Sequence, residues 1–306
     1  MATRTGTNKV LLKLKKSVEA GDYYEAHQMY RTVCNRQAKQ YERAIELLSS
    51  GATLLLEHKQ YSSGVDLSHY LLDVYQQTST PVNKDTLGLV VALIGKVPST
   101  VKARKQLIAA AIQWTAKHGH APNGHMELHD YVGHLYRQEG NYAEAEKHFF
   151  LGSDRSAAAW GDMLYEGSMG ASDITRGNYI ARPVLQYLCE KNLSGAQAAL
   201  TAFMARLKAE DAAATATMTI DIFRPPLVNF CQALVLLVQR DARDLFTMLR
   251  NRYRAELREE KVFDEMLDNI GHIYFNIPLP ASGNQQMNMM QQMLQGILAG
   301  NMGARS

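Results

Sequence analysis

The amino-acid sequence predicts an all-α protein built as an α-solenoid of helix hairpins, with a short β-strand or hairpin inserted near residues 212–224. Three observations lead to this prediction. Apolar residues recur at helical spacing along most of the chain, a turn-and-helix motif occurs four times, and one short segment alternates with a period of two. Self-similar helix pairs at a roughly regular spacing are the signature of helical-repeat proteins.

The motif is clearest at its first occurrence, Gly21-Asp22-Tyr23-x-x-Ala26. The side chain of Asp22 can accept hydrogen bonds from the N–H groups of a following helical turn, so the motif predicts a helix start. Tyr23, Ala26 and Tyr30 then fall on one face of that helix. The small side chain of Ala26 would let a neighbouring helix approach closely.

Weaker copies of the motif begin at Lys59, Gly140 and Lys191, after intervals of 38, 81 and 51 residues. The second interval has room for one more unit, whose turn should fall at Val97-Pro98-Ser99-Thr100. The third interval predicts an insertion. Units of about 34 to 47 residues are those of tetratricopeptide-like and related repeats, which stack into solenoids.

Between these turns and the glycine and proline breakers, the sequence predicts fourteen helices. They span residues 9–20, 22–37, 40–57, 61–77, 84–96, 100–117, 124–139, 141–152, 154–169, 173–191, 194–209, 227–239, 241–254 and 257–275. Pro183 falls inside the tenth helix and should kink it or mark its true start. Residues 1–8 are expected to be disordered.

Residues 215–223 differ from the rest, because Met218, Ile220 and Ile222 alternate there with polar residues. Period-two alternation with β-branched residues predicts a strand that ends at Phe223, before Pro225. An isolated strand leaves its edges unpaired, so it would lie on the solenoid or pair with another chain. A plain connecting loop is the alternative.

Composition indicates a cytosolic protein. The chain is 46% hydrophobic and 21% charged. Its three cysteines, Cys34, Cys189 and Cys231, form no disulfide or metal-binding pattern, which fits a reducing compartment. No run approaches the ~18 apolar residues that cross a bilayer, and the first residues lack the apolar core of a signal peptide. We therefore expect no direct membrane insertion.

Positive charge is concentrated at one end. Residues 1–43 contain nine Lys or Arg against four Asp or Glu, a net charge of +5, whereas the whole chain is only +3. Such an end favours an acidic partner surface or nucleic acid. The alternative is a solvated helix face.

No catalytic or metal-binding pattern is present. Five histidines cluster between residues 118 and 134, and His125 and His129 share a helical face. The intervening acid is one place too late for H-E-x-x-H, so we expect surface or inter-helix histidines rather than a metal site. A nucleotide loop and a hydrolase elbow are also missing. We expect no catalytic residues, no cofactor and no enzymatic activity.

The motif at residues 21–32 resembles the signature of the Golgi-to-ER-traffic protein four family, the α-solenoid scaffold of the guided-entry pathway for tail-anchored membrane proteins. Further segments similar to that family are residues 44–47, 64–67, 70–75, 143–152 and 274–277. The resemblance covers residues 9 to about 300.

The resemblance implies two partners. The N-terminal half, residues 9–152, would dock on the targeting ATPase and favour its ATP-bound state. The C-terminal half, residues 153–280, would hold the N-terminal segment of a ubiquitin-like-domain subunit, which recruits the tetratricopeptide co-chaperone that carries the client. Separately from the resemblance, the composition of residues 281–306 predicts a Gln/Met-rich tail or a capping helix.

Candidate contact residues follow from combining the resemblance with the charge and strand patterns. Lys9, Lys13 and Lys16 line one face of the first helix, because they are spaced four and three residues apart. The predicted ATPase-docking set is Lys9, Lys13, Lys16, Arg31, Arg36, Lys39 and Asp66. The predicted set for the ubiquitin-like subunit is Met218, Ile220, Ile222 and Phe223.

Two other classes compete with this hypothesis. A generic helical-repeat scaffold of a proteasome-lid-like or signalosome-like complex would usually end in a winged-helix module, which the Gln/Met-rich tail does not predict. An RNA-binding repeat would need basic and aromatic residues along several repeats. Here the positive charge lies at one end, so we expect no nucleic-acid partner.

Overall fold

The computed structural model describes residue 12 and residues 16–36, 41–210, 222–240 and 242–280, with the backbone alone at residues 35 and 36. Within these ranges the chain forms fourteen helices that we number α1 to α14, and residues 16–19 are also helical. The first seven are α1 Tyr23–Arg36, α2 Tyr41–Glu57, α3 Tyr61–Gln77, α4 Lys84–Gly95, α5 Ala103–His118, α6 Met126–Gln138 and α7 Tyr142–Leu151. The others are α8 Asp154–Gly167, α9 Asp173–Cys189, α10 Leu193–Glu210, α11 Pro226–Val238, α12 Arg243–Arg252, α13 Arg254–Leu257 and α14 Lys261–Phe275.

The predicted all-α architecture is confirmed, and most helix ends fall within two residues of the expected positions. The predicted strand at 215–223 lies outside the described residues except for Ile222 and Phe223, and neither of these two is in a strand. The chain forms two compact units, which divide between Leu135 and Tyr136. The functional division at residue 152 is of a different kind and stays a prediction.

The four turns of the repeated motif have the same backbone geometry. Their first residues are all left-handed, with φ of 85° at Gly21, 60° at Lys59, 73° at Gly140 and 59° at Lys191. At each turn this residue donates its N–H to the carbonyl three residues earlier, at 3.0 Å, and the next N–H reaches the carbonyl five residues earlier, at 2.9 Å. This is the Schellman arrangement that ends a helix. The sequence repeat is therefore a structural repeat.

The intervals between these turns also match the predicted units. The 81-residue interval holds four helices, α3 to α6, and the 51-residue interval holds three, α7 to α9, so one helix is inserted there. Side-chain capping is not general. Asn192 accepts a hydrogen bond from the N–H of Gly195 at 2.9 Å, whereas Gln60 and Asn141 cap no backbone group with their side chains.

The small residue of each motif lies where two helices touch. Ala26, Ala145 and Ala196 are fully buried. A Cβ atom added at the equivalent Gly64 would lie 2.6 Å from the side chain of Leu56 on α2. The close approach predicted for this position therefore occurs in both units.

Pro183 does not mark a helix start, because α9 runs from Asp173 through it to Cys189. Proline lacks the N–H that would bond the carbonyl of Tyr179, a loss usually unfavourable inside a helix. Here the proline is buried in the second unit. The helix start is instead set by Ser172, whose Oγ accepts the N–H of Thr175 at 3.2 Å.

The last predicted helix, 257–275, is interrupted at residues 258–260. Leu257 and the buried residues of α14, Phe263 and Leu267 among them, would lie on different faces of one continuous helix, because each residue advances the helix by about 100°. The break between α13 and α14 changes the direction in which the side chains point. Leu257 and Phe263 are therefore both buried, each 1% exposed.

Each unit has its own core. In the first, the rings of Tyr75 and Trp114 lie 5.1 Å apart, and Trp114 Nε1 donates to the carbonyl of Thr80 at 3.2 Å. In the second, α8 and α10 pack so closely that a Cβ at Gly161 would lie 2.2 Å from the carbonyl oxygen of Ala199. These cores position the charged side chains on the surface of each unit.

Candidate functional site: two charged surfaces

The first surface is a polar cluster between α1 and α3, which we call the Asp66 cluster: His27, Arg31, Asp66 and Tyr70. His27 and Arg31 are four residues apart on α1 and therefore share a face. Arg31 Nη1 donates to both carboxylate oxygens of Asp66 at 3.0 Å. His27 Nε2 lies 2.8 Å from Asp66 Oδ2. The guanidinium carbon of Arg31 is also 6.0 Å from the centre of the Tyr70 ring.

The ion pair in this cluster is open to solvent, since the side chains of Arg31 and Asp66 are 47% and 39% exposed. Exposed pairs of this kind contribute only about 0–1 kcal/mol. His69, next along α3, is half-buried, and burial lowers its pKa, partly opposed by Asp73 and Asp66. The pair can therefore open at little cost while the helices beneath it stay in place.

The structure brings together two of the seven residues predicted for ATPase docking, Arg31 and Asp66. Lys16 is exposed on the helical stretch before α1, and Arg36 is the last residue of α1. Lys9, Lys13 and Lys39 lie outside the described residues. Sequence reasoning missed His27, although its position one helical turn before Arg31 was a usable signal. The pairing of Arg31 with Asp66 joins residues 35 positions apart, which spacing alone does not indicate.

The second surface lies in the other unit and consists of Tyr165, Arg176, Arg206 and Glu210; we call it the Glu210 cluster. Tyr165 Oη donates to Glu210 Oε2 at 2.8 Å, and the Arg176 guanidinium donates to both oxygens of the same carboxylate. The guanidinium carbons of Arg176 and Arg206 lie 5.5 and 5.1 Å from the centre of the Tyr165 ring.

Hydrogen bonding from Arg176, and then from Tyr165, lowers the pKa of Glu210. A lowered carboxylate pKa means that the contact stabilises the fold above the usual Glu pKa of about 4.3 and is lost as the pH falls through the folded value. Burial, followed by the hydrogen bond with Glu210, raises the pKa of Tyr165. The cluster is therefore fully formed at neutral pH.

Glu210 is the last described residue before segment 211–221, and Ile222 is the first after it. Ile222 is 84% exposed, whereas Phe223 is only 7% exposed. Asn229 on α11 closes on the backbone of Phe223, accepting its N–H at 2.8 Å and donating to its carbonyl at 2.7 Å. Phe223 is therefore fixed to the unit where the described residues resume.

Of the four residues predicted for the ubiquitin-like subunit, only Ile222 and Phe223 are described. Ile222 is presented to solvent, and the side chain of Phe223 packs into the core. Met218 and Ile220 lie outside the described residues. Asn229 was not predicted as a functional residue. It is the fourth residue of α11, and no sequence pattern marks it as a contact to Phe223.

The histidine group serves the fold of the first unit. His129 is 2% exposed, and its Nε2 lies 3.0 Å from the carbonyl of Asn123. Burial lowers the pKa of His129. The N–H of His125 donates to Thr115 Oγ1 at 3.1 Å, so both residues brace the connection between α5 and α6. Among the residues that the structure describes, no three His, Cys, Asp or Glu side chains are placed to hold a metal ion.

The cysteines are free thiols; Cys34 and Cys231 are buried and Cys189 is partly buried. Burial raises the pKa of Cys34 to about 11 and that of Cys189 to about 12. Raised values leave little thiolate, the nucleophilic form, at neutral pH. Separately, in the part of the chain that the structure describes, no helix is long and apolar enough to span a bilayer.

Residues 38–298 match the family model of Golgi to ER traffic protein 4. The chain belongs to the Golgi to ER traffic protein 4 family. This confirms the resemblance carried by the repeated motif, and membership gives the chain a role in Golgi-to-ER protein transport. It also argues against an unrelated lid-type scaffold.

Relatives of the Golgi to ER traffic protein 4 family are similar along nearly their whole length. Golgi to ER traffic protein 4 of Aspergillus fumigatus is 33% identical over 94% of this chain and 90% of the relative. The protein of that name from Schizosaccharomyces pombe is also 33% identical, over 90% of this chain and 92% of its own. The Homo sapiens homolog is 33% identical over 90% of this chain and 82% of its own.

The fold matches as well. The crystal structure of C. therm. Get4 is similar with a TM-score of 0.85 and 31% identity, covering 94% of this chain and 95% of that one. The predicted all-α solenoid is thereby confirmed.

Proposed function

We propose that this protein is a cytosolic scaffold for the targeting of tail-anchored membrane proteins. Its N-terminal half binds the guided-entry ATPase. Its C-terminal half binds a ubiquitin-like-domain subunit, which in turn recruits the tetratricopeptide co-chaperone loaded with client. The scaffold itself catalyses nothing and acts by bringing its two partners together.

The Asp66 cluster carries the proposal for the first half. It presents one carboxylate and one guanidinium, both about half exposed, beside a chain end of net charge +5. A cationic group of the ATPase takes the place of Arg31 at Asp66, and Arg31 and Lys16 then face acidic groups of the ATPase. Because the internal pair is worth only about 0–1 kcal/mol, the exchange costs little.

Binding of this kind changes the ATPase only if it favours one of its states. A scaffold that binds two states equally leaves their populations unchanged. We therefore propose that the cation facing Asp66 is in reach only in the ATP-bound state. A tenfold difference in affinity, about 1.4 kcal/mol, would shift the ratio of the two states tenfold.

The described residues on either side of segment 211–221 support the proposal for the second half. Glu210, bonded to Tyr165, is the last described residue before it, and Phe223, bonded to Asn229, lies just after it. Ile222, the first described residue after the segment, is 84% exposed. A largely exposed apolar side chain next to a fixed residue is suited to contact another chain.

The proposal is tested with purified proteins. The full chain is titrated with the ATPase in its ATP-bound and ADP-bound states, with and without the ubiquitin-like subunit, by calorimetry and analytical ultracentrifugation. We expect tighter binding to the ATP-bound state and a ternary complex. Equal affinity for both states, or competition between the two partners, would contradict it.

A further inference from the structure

The second unit contains a pocket of about 610 Å³ beside α12 and α13, which no part of the proposed function uses. Three arginines line it: Arg250, Arg254 and Arg258. They recur every four residues along a nearly helical path, so they project to one side. We call this site the arginine pocket.

The three arginines are not equivalent. Arg250 is bonded to Asp268 and, through Nη2, to Asp264 Oδ1 at 3.0 Å. Arg254 and Arg258 are exposed and form no ion pair within the described residues. Asp264, the carboxylate in the lining, is already engaged with Arg250. Two guanidinium groups at the rim therefore retain their donors for a ligand.

The floor of the pocket is apolar. Phe246 and Phe275 stack with ring centres 4.7 Å apart. Asn276 is left-handed, with φ of 50°, and this turn lets the N–H of Ile277 donate to the carbonyl of Gly271 at 3.1 Å. Ile277 thereby lies over Gly271 and next to Phe246, where it lines the pocket.

We propose that the arginine pocket binds an acidic peptide segment of a protein partner, with its carboxylates on Arg254 and Arg258 and one apolar side chain on the floor. A planar guanidinium pairs with a carboxylate through two parallel hydrogen bonds. Asn251 and Thr247 at the wall add groups that bond a peptide backbone. A volume of 610 Å³ is in the range of ligand sites, about 300–1,000 Å³.

A nucleotide fits the site less well. Binding of bases relies on stacking against aromatic ring faces. The aromatic residue of the lining, Phe246, is 2% exposed and already stacked on Phe275. The pocket thus supplies charge and an apolar floor, but no ring face for a base. This inference does not depend on the proposed function, because it involves neither the Asp66 cluster nor segment 211–221.

The test uses the full chain and a fluorescein-labelled peptide of alternating Asp and Glu with one central Leu. Binding of the peptide is measured by fluorescence anisotropy. We expect saturable binding that weakens at high ionic strength. The double variant Arg254→Glu/Arg258→Glu should weaken it by about tenfold or more. Replacing the central Leu by Ser, or Ile277 by Ser, should weaken it several-fold.

The matched control is Arg243→Glu/Arg252→Glu. These two arginines are exposed on α12 and lie outside the pocket, and the change in net charge is the same. The control should retain the affinity to within about twofold. Circular dichroism on both double variants verifies the fold.

Three outcomes would overturn the inference. The first is a failure of the peptide to saturate the protein. The second is an equal loss of affinity in both double variants, which would mean that charge outside the pocket attracts the peptide. The third is competition by a single-stranded oligonucleotide at equal concentration, which would indicate a non-specific polyanion surface.

Discussion

The Asp66 cluster and the Glu210 cluster use the same chemistry in opposite ways. In each, one carboxylate accepts two hydrogen bonds from an arginine on a neighbouring helix. In the first, the arginine is 47% exposed, and its nearest ring centre is 6.0 Å away. In the second, the carboxylate side chain of Glu210 is 50% exposed, but the arginine side chain is only 12% exposed. That arginine lies over a tyrosine ring that a second arginine also covers.

The difference lies in what surrounds the ion pair. Water competes for both partners at Asp66, so the pair is weak and can be exchanged for a partner's charge. At Glu210 the Arg176 guanidinium and the Tyr165 hydroxyl both bond the carboxylate, and hydrogen bonds that polarise one another are stronger together. We infer that the Asp66 cluster is a surface for contact with a partner. The Glu210 cluster is instead a structural support, which we call the frame.

Replacing residues 212–221 with Gly and Ser at equal length should abolish co-purification with the ubiquitin-like subunit. Glu210 and Phe223, which flank the replaced residues, are kept, so the helices should stay folded. Binding is measured by pull-down and calorimetry, and folding by thermal unfolding. The same replacement at 281–290 serves as a control for length and composition. Unchanged binding of the subunit would mean that residues 212–221 are not its binding site.

Asn229→Ala should destabilise the second unit by about 1–3 kcal/mol, because it leaves the N–H and the carbonyl of Phe223 without partners. Urea unfolding gives the free energy, and hydrogen exchange at the Phe223 amide should accelerate. Gln138→Ala, an amide removed from an exposed helical position of the same unit, should change stability by less than about 0.5 kcal/mol. Equal losses of stability in the two variants would mean that the hydrogen bonds of Asn229 do not specifically hold Phe223.

Reversing the charge of Lys13 and Lys16 should slow association with the ATPase by about tenfold. Raising the salt concentration should weaken ATPase binding by the original chain more steeply than binding by this variant. Stopped-flow mixing at low and high ionic strength measures both. Lys84→Glu/Lys102→Glu makes the same charge change at exposed positions elsewhere in the first unit and should have little effect. Identical salt dependence in all three proteins would place the docking face elsewhere.

Double-mutant cycles should give the smallest effects. For Arg31→Gln with Asp66→Asn we expect a coupling energy of about 0–1 kcal/mol. For Arg176→Gln with Glu210→Gln the coupling should be larger, since the arginine is mostly buried. Both are read from urea unfolding of the free chain. A stronger coupling at Arg31 than at Arg176 would reverse the assignment of surface and frame.

The helices were predictable because their information is local. Periodic apolar residues, glycines and prolines mark where each begins and ends, and the four motif turns share both sequence and hydrogen bonding. The interruption at 258–260 escaped prediction because Arg258, Glu259 and Glu260 are ordinary helical residues. The break is set by where Leu257 and Phe263 must point in the folded unit, which is tertiary information.

The candidate surfaces were predictable only in part. Charge concentration pointed to Lys16 and Arg31, and period-two alternation pointed to the segment before Phe223. Contacts between distant residues, such as Arg31 with Asp66 and Tyr165 with Glu210, depend on helix packing that one sequence does not encode locally. Helical spacing accounts for His27, whereas Asn229 could be recognised only once its amide was seen against the backbone.

The amide of Asn229 completes hydrogen bonds that a neighbouring strand would otherwise provide. The chain thus re-enters the helical stack at Phe223, which the Asn229 amide and the burial of its own ring hold in place. Segment 211–221 could then be lengthened, shortened or rewritten across species without repacking any helix. A lineage could acquire a different partner by changing eleven residues and leaving the architecture untouched.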